Sequence, residues 1–410
     1  MKKINWLILI ILVCLTVGSP LFAEDIVSIM GCYYPRWSPT GEEIGFAARV
    51  RGIEKNNEEL TDKGYGSVIA AINQNDFSIR YITPITWSKD ELLPNSGSGP
   101  LSGSSRYNPG RSPYKDKEDE KERNIGDYNA NSPTKEPSLV PMLFAGSTIF
   151  DWSTDGEEMF FYDVPSIYYP QYDLYMWRIK SDGTNLRPIS RMARENLPKY
   201  LQCLNNGKIA IIPGRNNALE ILNNNGKKQS QTTVSGILSS VGNEGIGLSK
   251  DGKKIAIIGH KDKNIYIKET SNSKAFVNLT KSEKVGECSW PSWSPDGKKI
   301  VFIFEIKFDG KINFLRNQKS VWVIDADGKN CRPLTAKAQN QENNSIGMKD
   351  YRGAYGGDYC PSWSPDGNKI VFLREMLGVG MYGLWIMNPD GFNQTCLPTL
   401  PGERQSLTQE

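Results

Sequence analysis

Short apolar runs that flank a tight turn recur along the chain. In the clearest case Trp293 precedes the turn 294–297, and the apolar residues 300–302 follow it. In such a turn proline presets φ at the second position, aspartate can bond nearby backbone, and glycine accepts a positive φ. Two apolar runs joined in this way predict a β-hairpin.

The hairpin motif is repeated. Residues 291–302 return as residues 361–372, with Lys298 replaced by Asn368 as the only difference. Weaker copies of the turn begin at Trp37, Trp152, Cys203 and Ser249, which makes six copies in total. Self-similarity at a period of several tens of residues indicates repeated supersecondary units. The residues that define the structural turns are Trp37, Trp152, Trp293, Pro295, Asp296, Gly297, Trp363, Pro365, Asp366 and Gly367.

A second hairpin follows each copy of the first. It is clearest where an apolar run leads into the pattern Asp-Gly-x-Asn, at residues 177–189, 322–334 and 385–393. Looser copies turn near Asn75, Asn225 and Asn272. Each unit therefore holds four strands, labelled A to D in chain order. Six such units predict an all-β fold, a single six-bladed β-propeller of four-stranded antiparallel blades.

The repeat positions divide the chain. The predicted blades occupy about residues 32–84, 143–190, 191–233, 235–280, 286–335 and 359–398 of a propeller that spans 24–398. Insertions at 85–142 and 336–358 separate blades 1 and 2 and blades 5 and 6, and a polar tail follows at 399–410. Two ways of closing the ring stay open: blade 6 is complete by itself, or residues 26–29 add a strand to it.

The string W-S-P-D-G-K-K-I-V-F, with its following D-G-x-N turn, resembles the WD40-like repeat of TolB-like propellers over about residues 30–398. The chain differs from a full TolB, which carries an α/β domain before its propeller, and it has long insertions between blades. The resemblance implies a periplasmic scaffold that binds other proteins. Fold alone does not establish such a role.

The first 23 residues have the features of a secretory signal. Lys2 and Lys3 precede the apolar run 6–17, and Ala23 offers a small residue before Glu24. An uncleaved N-terminal anchor is the alternative, and the membrane is expected to matter only through this segment. Without Lys2 and Lys3 the chain has 47 basic and 46 acidic side chains, a net charge of +1. No broad basic face is indicated, so nucleic acid is not an expected partner.

The insertion at 85–142 combines a Ser/Gly/Pro-rich stretch at 95–105 with mixed charges at 115–123. This composition buries too little apolar surface to order a chain, and it predicts a mobile loop or linker. Deleting residues 95–135 is therefore expected to leave the melting temperature nearly unchanged. A large fall in melting temperature, measured by calorimetry, would show instead that the segment packs on the propeller.

Strand parity separates the two faces of the predicted disc. The A–B and C–D turns share one face, here called the turn face, whereas the B–C loops and D–A crossovers share the other, the loop face. Both insertions and the long B–C connections 51–66 and 304–319 belong to the loop face, where function is usually carried. Tyr and Arg are enriched at interface hot spots. The candidate binding residues on the loop face are Tyr168, Tyr169, Tyr172, Phe308, Arg316, Tyr351, Arg352, Tyr355 and Tyr382.

The sequence gives little support for a catalytic site or a metal site. The single histidine, His260, lies in the predicted B–C turn of blade 4, and no G-x-S-x-G elbow accompanies it. The cysteine spacing fits no metal pattern, so buried packing in the inner strands is the expected role of the cysteines. The remaining enzyme hypothesis uses carboxylates at the channel mouth, as sugar-processing propellers do. Its candidates are Glu305, Asp309, Asp358 and Glu375.

These observations favour an exported, monomeric, TolB-like propeller that acts as a non-catalytic protein-binding scaffold, without metal or cofactor. The alternative is a carbohydrate-active enzyme or sugar-binding protein that uses carboxylates at the channel mouth.

Overall fold

The chain folds into six antiparallel β-sheets, which confirms the predicted fold class. The computed structural model describes residues 25–56, 59–88, 141, 143, 146–162, 174–192, 198–214, 218–233, 245–271, 275–281, 286–306, 319–335, 355–376 and 381–399. Every regular element in these ranges is a β-strand.

The first three blades contain strands β1 to β13. Blade 1 holds β1 (Asp25–Trp37), β2 (Glu43–Asn56), β3 (Glu59–Asn73) and β4 (Ile79–Tyr81), and β5 (Thr86–Ser88) also pairs with β3. Blade 2 holds β6 (Phe150–Trp152), β7 (Glu158–Tyr162), β8 (Leu174–Lys180) and β9 (Arg187–Met192). Blade 3 holds β10 (Pro198–Cys203), β11 (Ile209–Pro213), β12 (Ala218–Leu222) and β13 (Lys228–Thr233).

The last three blades follow the same order. Blade 4 holds β14 (Ile246–Leu248), β15 (Lys254–Ile258), β16 (Ile265–Glu269) and β17 (Val277–Asn278). Blade 5 holds β18 (Gly286–Trp293), β19 (Lys299–Ile306), β20 (Lys319–Asp325) and β21 (Arg332–Pro333). Blade 6 holds β22 (Tyr355–Trp363), β23 (Ile370–Met376), β24 (Met381–Met387) and β25 (Thr395–Cys396).

In the part of the chain that the structure describes, the ring closes without a shared strand. Every sheet is built from one continuous stretch of chain, so blade 6 is complete by itself, and residues 26–29 pair with β2 of their own blade. The first strand of a blade contacts the first strands of its neighbours, and β1 packs against β22, β23 and β24 of blade 6. Side-chain packing, together with a hydrogen bond of 3.1 Å from Lys369 Nζ to Gln74 Oε1, therefore joins the last blade to the first.

The apolar core lies between the blades. Along β19 the buried side chains alternate: Ile300, Phe302 and Phe304 pack toward blade 4, whereas Val301 and Ile303 pack toward blade 6. Successive side chains of a strand point to opposite faces of its sheet. Both faces of a blade are covered by a neighbouring blade, which explains why the strand is an unbroken apolar run rather than an alternation with polar residues.

Each polar side chain of the A–B turn forms hydrogen bonds within the turn. In blade 5 the Ser294 hydroxyl donates to Asp296 Oδ1 at 2.6 Å and accepts from the Lys299 amide at 2.9 Å. The same carboxylate accepts from the Lys298 amide at 3.0 Å, and the Gly297 amide donates to the Ser294 carbonyl at 2.9 Å. The hydrogen bond from Ser294 lowers the pKa of Asp296, so the carboxylate that holds the turn stays ionised.

The turn prolines and glycines also join successive blades. A Cβ on Gly367 of blade 6 would lie 3.7 Å from Cδ of Pro295 in blade 5, and one on Gly156 of blade 2 would lie 3.4 Å from Cδ of Pro39 in blade 1. The same contact closes the ring, because Gly41 of blade 1 lies against Pro365 of blade 6. The Ser-Pro-Asp-Gly string is therefore an element of blade packing as well as a turn.

The C–D turns lie on the same face as the A–B turns, as strand parity predicts. In blade 5 the amide of Ala326 in the C–D turn donates to the carbonyl of Lys298 in the A–B turn at 2.7 Å. The asparagine of the Asp-Gly-x-Asn pattern adopts a left-handed backbone, with φ of 57° at Asn185 and 54° at Asn330 and Asn393. Asparagine tolerates this conformation better than most residues, which explains its recurrence.

Three segments differ from their expected form. Residues 86–88, predicted as part of the first insertion, form β5 and pair with β3. The segment 51–66, predicted as a long charged loop, continues β2 and β3 as a hairpin that is paired as far as Asn56 and Glu59. Backbone hydrogen bonds pair the two strands here, although the charged composition is typical of a loop. The inner strand of blade 6 begins at Tyr355, so residues 355–358, predicted as part of the second insertion, belong to β22.

Candidate functional site

The inner strands of blades 5, 6 and 1 form a tall wall on one side of the channel. These strands have 8, 9 and 13 residues, whereas those of blades 2, 3 and 4 have 3, 6 and 3. All six inner strands end at the position equivalent to Trp293 of blade 5. The additional length therefore lies entirely toward the loop face. The described inner strands of blades 5, 6 and 1 are thus two to ten residues longer than those of blades 2, 3 and 4.

Each strand of this wall contains a strained bulge. Tyr34, Trp290 and Cys360 have φ values of 52°, 56° and 50°, and each directly precedes a proline. The pairing register shifts at these points in β1, β18 and β22. A left-handed conformation of a residue other than glycine costs about 1–3 kcal/mol and persists only where its surroundings enforce it. β-Bulges re-aim side chains and are frequent beside functional sites.

The bulges bring two aromatic rings together across the wall. The ring centroids of Tyr34 in blade 1 and Trp290 in blade 5 lie 5.7 Å apart, although blade 6 stands between these blades. The Tyr34 hydroxyl also donates to the Gly146 carbonyl at the entrance to blade 2 at 2.8 Å. The sequence contains a signal for this arrangement, since a proline follows Tyr34, Trp290 and Cys360 alike. The sequence analysis did not predict a bulge from this pattern.

A lysine is held between blades 5 and 6 at the loop-face end of the wall. Lys319 Nζ lies 4.8 Å from the ring centroid of Tyr359 and 3.8 Å from Glu305 Oε2. The Lys319 stem packs on Gly357, where a Cβ would come within 2.6 Å of the lysine Cβ. Glycine at 357 is thus required for the approach of blade 6 to this lysine. The ammonium gains both a cation–π contact and an ion pair.

Three tyrosines connect blade 6 to blade 1 beside this lysine. The Tyr359 hydroxyl donates to Glu375 Oε2 at 3.2 Å, and the Tyr382 ring lies 5.3 Å from the Tyr359 ring and 5.9 Å from the Tyr33 ring. Burial raises the pKa of Tyr33, Tyr359 and Tyr382, so all three phenols remain protonated. The cluster formed by Glu305, Lys319, Tyr359, Glu375, Tyr382 and Tyr33 is called here the mouth cluster.

A buried ion pair supports the mouth cluster. Arg374 contacts both carboxylate oxygens of Asp358, at 2.7 and 3.2 Å, and donates to Gln394 Oε1 at 3.1 Å. Its guanidinium also lies 4.7 Å from the ring centroid of Trp385. This bidentate geometry fixes the carboxylate firmly. Asp358 is therefore a structural residue, and its carboxylate binds Arg374 instead of a ligand.

The candidate binding residues are only partly placed. Tyr168, Tyr169, Tyr172, Phe308, Arg316, Tyr351 and Arg352 lie outside the described residues, as do Asp309 and residues 89–140 and 336–354 of the two insertions. Tyr355 begins β22 on the loop-face side. Tyr382 is only 1% exposed, because it packs inside the mouth cluster, and it offers no surface to a partner.

The turn and cysteine residues occupy inter-blade positions. Trp37, Trp152, Trp293 and Trp363 are all buried, as are Cys32, Cys203, Cys288 and Cys360. Burial raises the pKa of Cys203, and it raises that of Cys288 to about 12, so both thiols are neutral packing groups. His260 is exposed in a turn. No grouping of three or more metal-ligating side chains occurs in the part of the chain that the structure describes.

Six antiparallel blades, five of four strands and the first with the additional short strand β5, define this protein as a six-bladed β-propeller. No protein-family model matches the sequence, and no curated protein does. Among solved structures the chain is similar to a putative TolB from Agrobacterium tumefaciens, with 16% identity and a TM-score of 0.31 over 91% of this chain and 88% of that one. The six antiparallel sheets themselves confirm the propeller fold that the repeat predicted.

Other similar structures have different activities. The β-propeller domain of the Trilobed protease from Pyrococcus furiosus shares 10% identity, with a TM-score of 0.43 over 93% of this chain and 99% of that one. An oligogalacturonate lyase from Vibrio parahaemolyticus shares 9%, with a TM-score of 0.38 over 89% and 91%. Similarity at this level concerns the fold alone, so the chemistry of this chain rests on its own residues.

Proposed function

We propose that this protein is a non-catalytic scaffold that binds another protein through its loop face, in the periplasm or another exported compartment. The observation that carries the proposal is the unequal height of the inner strands. Blades 5, 6 and 1 rise toward the loop face, and in blade 1 the hairpin of β2 and β3 extends with them. Loops and strand extensions placed by a rigid scaffold commonly carry binding.

The turn face is less suited to binding a partner. Its turns are short, and their polar groups are satisfied within the turn, as Ser294 and Asp296 illustrate. In the C–D turn of blade 2, Asp182 accepts from both the amide and the hydroxyl of Thr184, at 2.8 and 2.7 Å. A surface whose polar groups already bond one another has few left for a partner. Recognition at the loop face is therefore favoured.

The state of the described carboxylates favours binding over hydrolysis. Asp358 is paired with Arg374, Glu305 contacts Lys319, and Glu375 accepts from Tyr359. A glycosidase pair requires one carboxylic acid held protonated and one carboxylate aimed at the sugar. Carboxylates that are committed to cationic or phenolic partners are poorly suited to that division of roles.

Export is supported by the first 23 residues, with their two lysines, apolar run and small residue at Ala23. Those residues lie outside the described part of the chain. Within the described part, no helix has the length and hydropathy needed to cross a membrane.

Partner binding is expected to depend on the loop-face tyrosines. Replacing Tyr168, Tyr169, Tyr351 and Tyr355 by serine should weaken recovery of the partner from an envelope extract while the melting temperature is kept. Truncating one central hot-spot aromatic costs at least about 2 kcal/mol, which is about a thirtyfold loss of affinity. Asp182→Asn and Asp390→Asn on the turn face are the controls. The proposal is wrong if these two changes abolish recovery and the tyrosine changes do not.

A carbohydrate-active or sugar-binding role is the second candidate, because Glu375 lies beside a buried phenol at the channel mouth. It requires that the purified protein cleave or bind a polysaccharide. Such an activity, lost on Glu305→Gln or Glu375→Gln, would make the mouth cluster an active site and would replace the scaffold proposal.

A further inference from the structure

The turns of blades 1 and 2 form an acidic sector of the turn face. Their A–B and C–D turns contain five acidic side chains, all exposed, and no basic one: Glu42, Asp76, Asp155, Glu157 and Asp182. The outer strands next to these turns carry basic residues, but Arg80 is already paired with Glu43 at 2.6 Å and Arg178 with Glu158 at 2.5 Å. The sector therefore has a net negative charge.

The turns of blades 3 and 4 form a basic sector beside it. The two turns of blade 3 contain Lys208 and Lys227 and no acidic residue, and the A–B turn of blade 4 contains Lys250 and Lys253 against Asp251. The Lys253 side chain is 80% exposed, so its charge faces solvent. The described turns of blades 3 and 4 thus have a net positive charge.

A two-fold axis brings these two sectors together. In a ring of six blades, an axis that lies in the turn face and passes between blades 2 and 3 also passes between blades 5 and 6. It places blade 2 of one copy on blade 3 of the other, blade 1 on blade 4, and blade 6 on blade 5. Each acidic sector then faces a basic sector, and the match occurs twice because a two-fold interface is self-complementary. Complementary charge favours association in one orientation.

An exposed phenylalanine interrupts the polar turn face in blade 6. Phe392 is 67% exposed in the C–D turn, where the corresponding positions of blades 2, 3 and 5 hold Thr184, Lys227 and Lys329. The turn fixes its backbone, because the Phe392 amide donates to Asp390 Oδ1 at 3.0 Å. Phe392 is therefore a fixed apolar projection on a face that is otherwise polar at this position.

A cleft of about 250 Å³ opens at the turn-face end of the boundary between blades 4 and 5. Two lysines and a glutamate form part of its lining, and the apolar lining residues are Ile267, Ala275, Val277 and Ala326. A cavity of about 150 Å³ already holds benzene, so a phenyl ring fits a cleft of this size. The axis that matches the charged sectors also sets blade 6 on blade 5 of the other copy, beside this cleft.

We infer that two copies of this protein pair through their turn faces about this axis, with Phe392 of each copy in the blade 4–blade 5 cleft of the other. The Phe392 ring and the exposed lysine ammonium groups lie outside the serine–aspartate hydrogen bonds that hold the turns, so they are available for this contact. The inference departs from the monomer expected from the sequence. It goes beyond the proposed function, since the loop face of each copy stays open to its own partner.

Sedimentation velocity of the full chain tests the pairing. A dimer should form as the loading concentration is raised from about 0.1 to 100 μM. The dimer should weaken as the salt concentration is raised from about 0.1 to 1 M, because salt screens the charged sectors. A chain that stays monomeric over the whole concentration range at the lower salt overturns the inference.

The apolar contact is tested by Phe392→Ala. The dissociation constant of the dimer should rise at least about thirtyfold, as for the loss of a hot-spot aromatic. Unfolding of the dilute, monomeric protein should be unchanged, because the ring faces solvent within one copy. Glu305→Gln on the loop face is the control and should leave the dissociation constant as it is. Equal dimerisation of Phe392→Ala and the unaltered chain would exclude the ring from the interface.

A charge exchange tests the matching of the sectors. Glu42→Lys with Glu157→Lys should weaken the dimer at least about tenfold, and so should Lys227→Glu with Lys253→Glu, because like charges then face each other. An equimolar mixture of the two double variants should regain the affinity, since the altered sectors again face opposite charges. Among the described residues none of these four side chains forms a hydrogen bond, so the turns should persist. A mixture that stays monomeric contradicts the axis.

A disulfide cross-link locates the contact. Within one copy, blade 5 separates Phe392 from Val277, so Phe392→Cys with Val277→Cys should give a covalent dimer under oxidising conditions, seen on a non-reducing gel. Phe392→Cys with Asn225→Cys is the control, because Asn225 lies in blade 3, opposite blade 6 in the ring. No covalent dimer in the first variant, or equal amounts in both, would show that Phe392 does not occupy the cleft.

Discussion

Replacing Trp293 by alanine is expected to lower the free energy of unfolding by about 3–5 kcal/mol, the range for emptying a large aromatic site in a core. The indole is 6% exposed, lies in the cluster between blades 4 and 5, and donates to the Gly247 carbonyl. Lys254 Nζ also lies 5.6 Å from its ring centroid. Alanine removes the packing and the hydrogen bond together and leaves the Gly247 carbonyl unpaired.

Urea unfolding monitored by circular dichroism measures this loss. Phe392→Ala is the matched control, because Phe392 is 67% exposed in the C–D turn of blade 6 and its removal should change stability by less than about 0.5 kcal/mol. A loss below about 1 kcal/mol for Trp293→Ala would contradict the buried inter-blade position of the indole.

Removing one partner of the Asp358–Arg374 pair should have a comparable effect. Arg374→Met is expected to destabilise the protein by about 3–5 kcal/mol, because it leaves a buried carboxylate without its cation. Asp358 is 4% exposed, so water cannot replace the guanidinium. The double variant Asp358→Leu with Arg374→Met should regain most of this loss, since apolar pairs often substitute for buried ion pairs at little cost.

The comparison with an exposed pair makes the test specific. Lys253 and Asp251 lie 4.0 Å apart on the turn face, with 80% and 51% of their side chains exposed. Lys253→Met should cost less than about 1 kcal/mol, because solvent screens such pairs. If Arg374→Met is as mild as Lys253→Met, Asp358 does not depend on its ion pair.

The repeat predicted the blade count and the turns well because these depend on local residues. Ser-Pro-Asp-Gly makes its own hydrogen bonds, and the same four residues pack on the next blade, so one short string determines both the turn and the contact. The two faces followed from strand parity in the same way. Four strands in sequence leave no other arrangement of turns and loops in a blade.

The mouth cluster could not be predicted from the sequence, because its members come from three blades and meet only in the ring. Lys319 contacts Tyr359 because Gly357 lacks a side chain, and a single glycine in a sequence gives no indication of its neighbour in space. Tyr382 was assigned to a binding surface from its residue type, although its neighbours Tyr33 and Tyr359 bury it. The hairpin of β2 and β3 was missed because its charged residues resemble a loop, while pairing is determined by the backbone.

The absence of a shared strand in the ring has a consequence for how such a protein can change over evolutionary time. Where a ring is closed by a strand from the opposite end of the chain, a duplicated or deleted segment must preserve that strand's partner. Among the described residues each sheet is encoded by one segment of the chain, and no strand of one blade pairs with a strand of another. A gain or loss of one whole segment leaves every other sheet intact, and the new junction must match two apolar blade faces and one proline–glycine contact at the turn face.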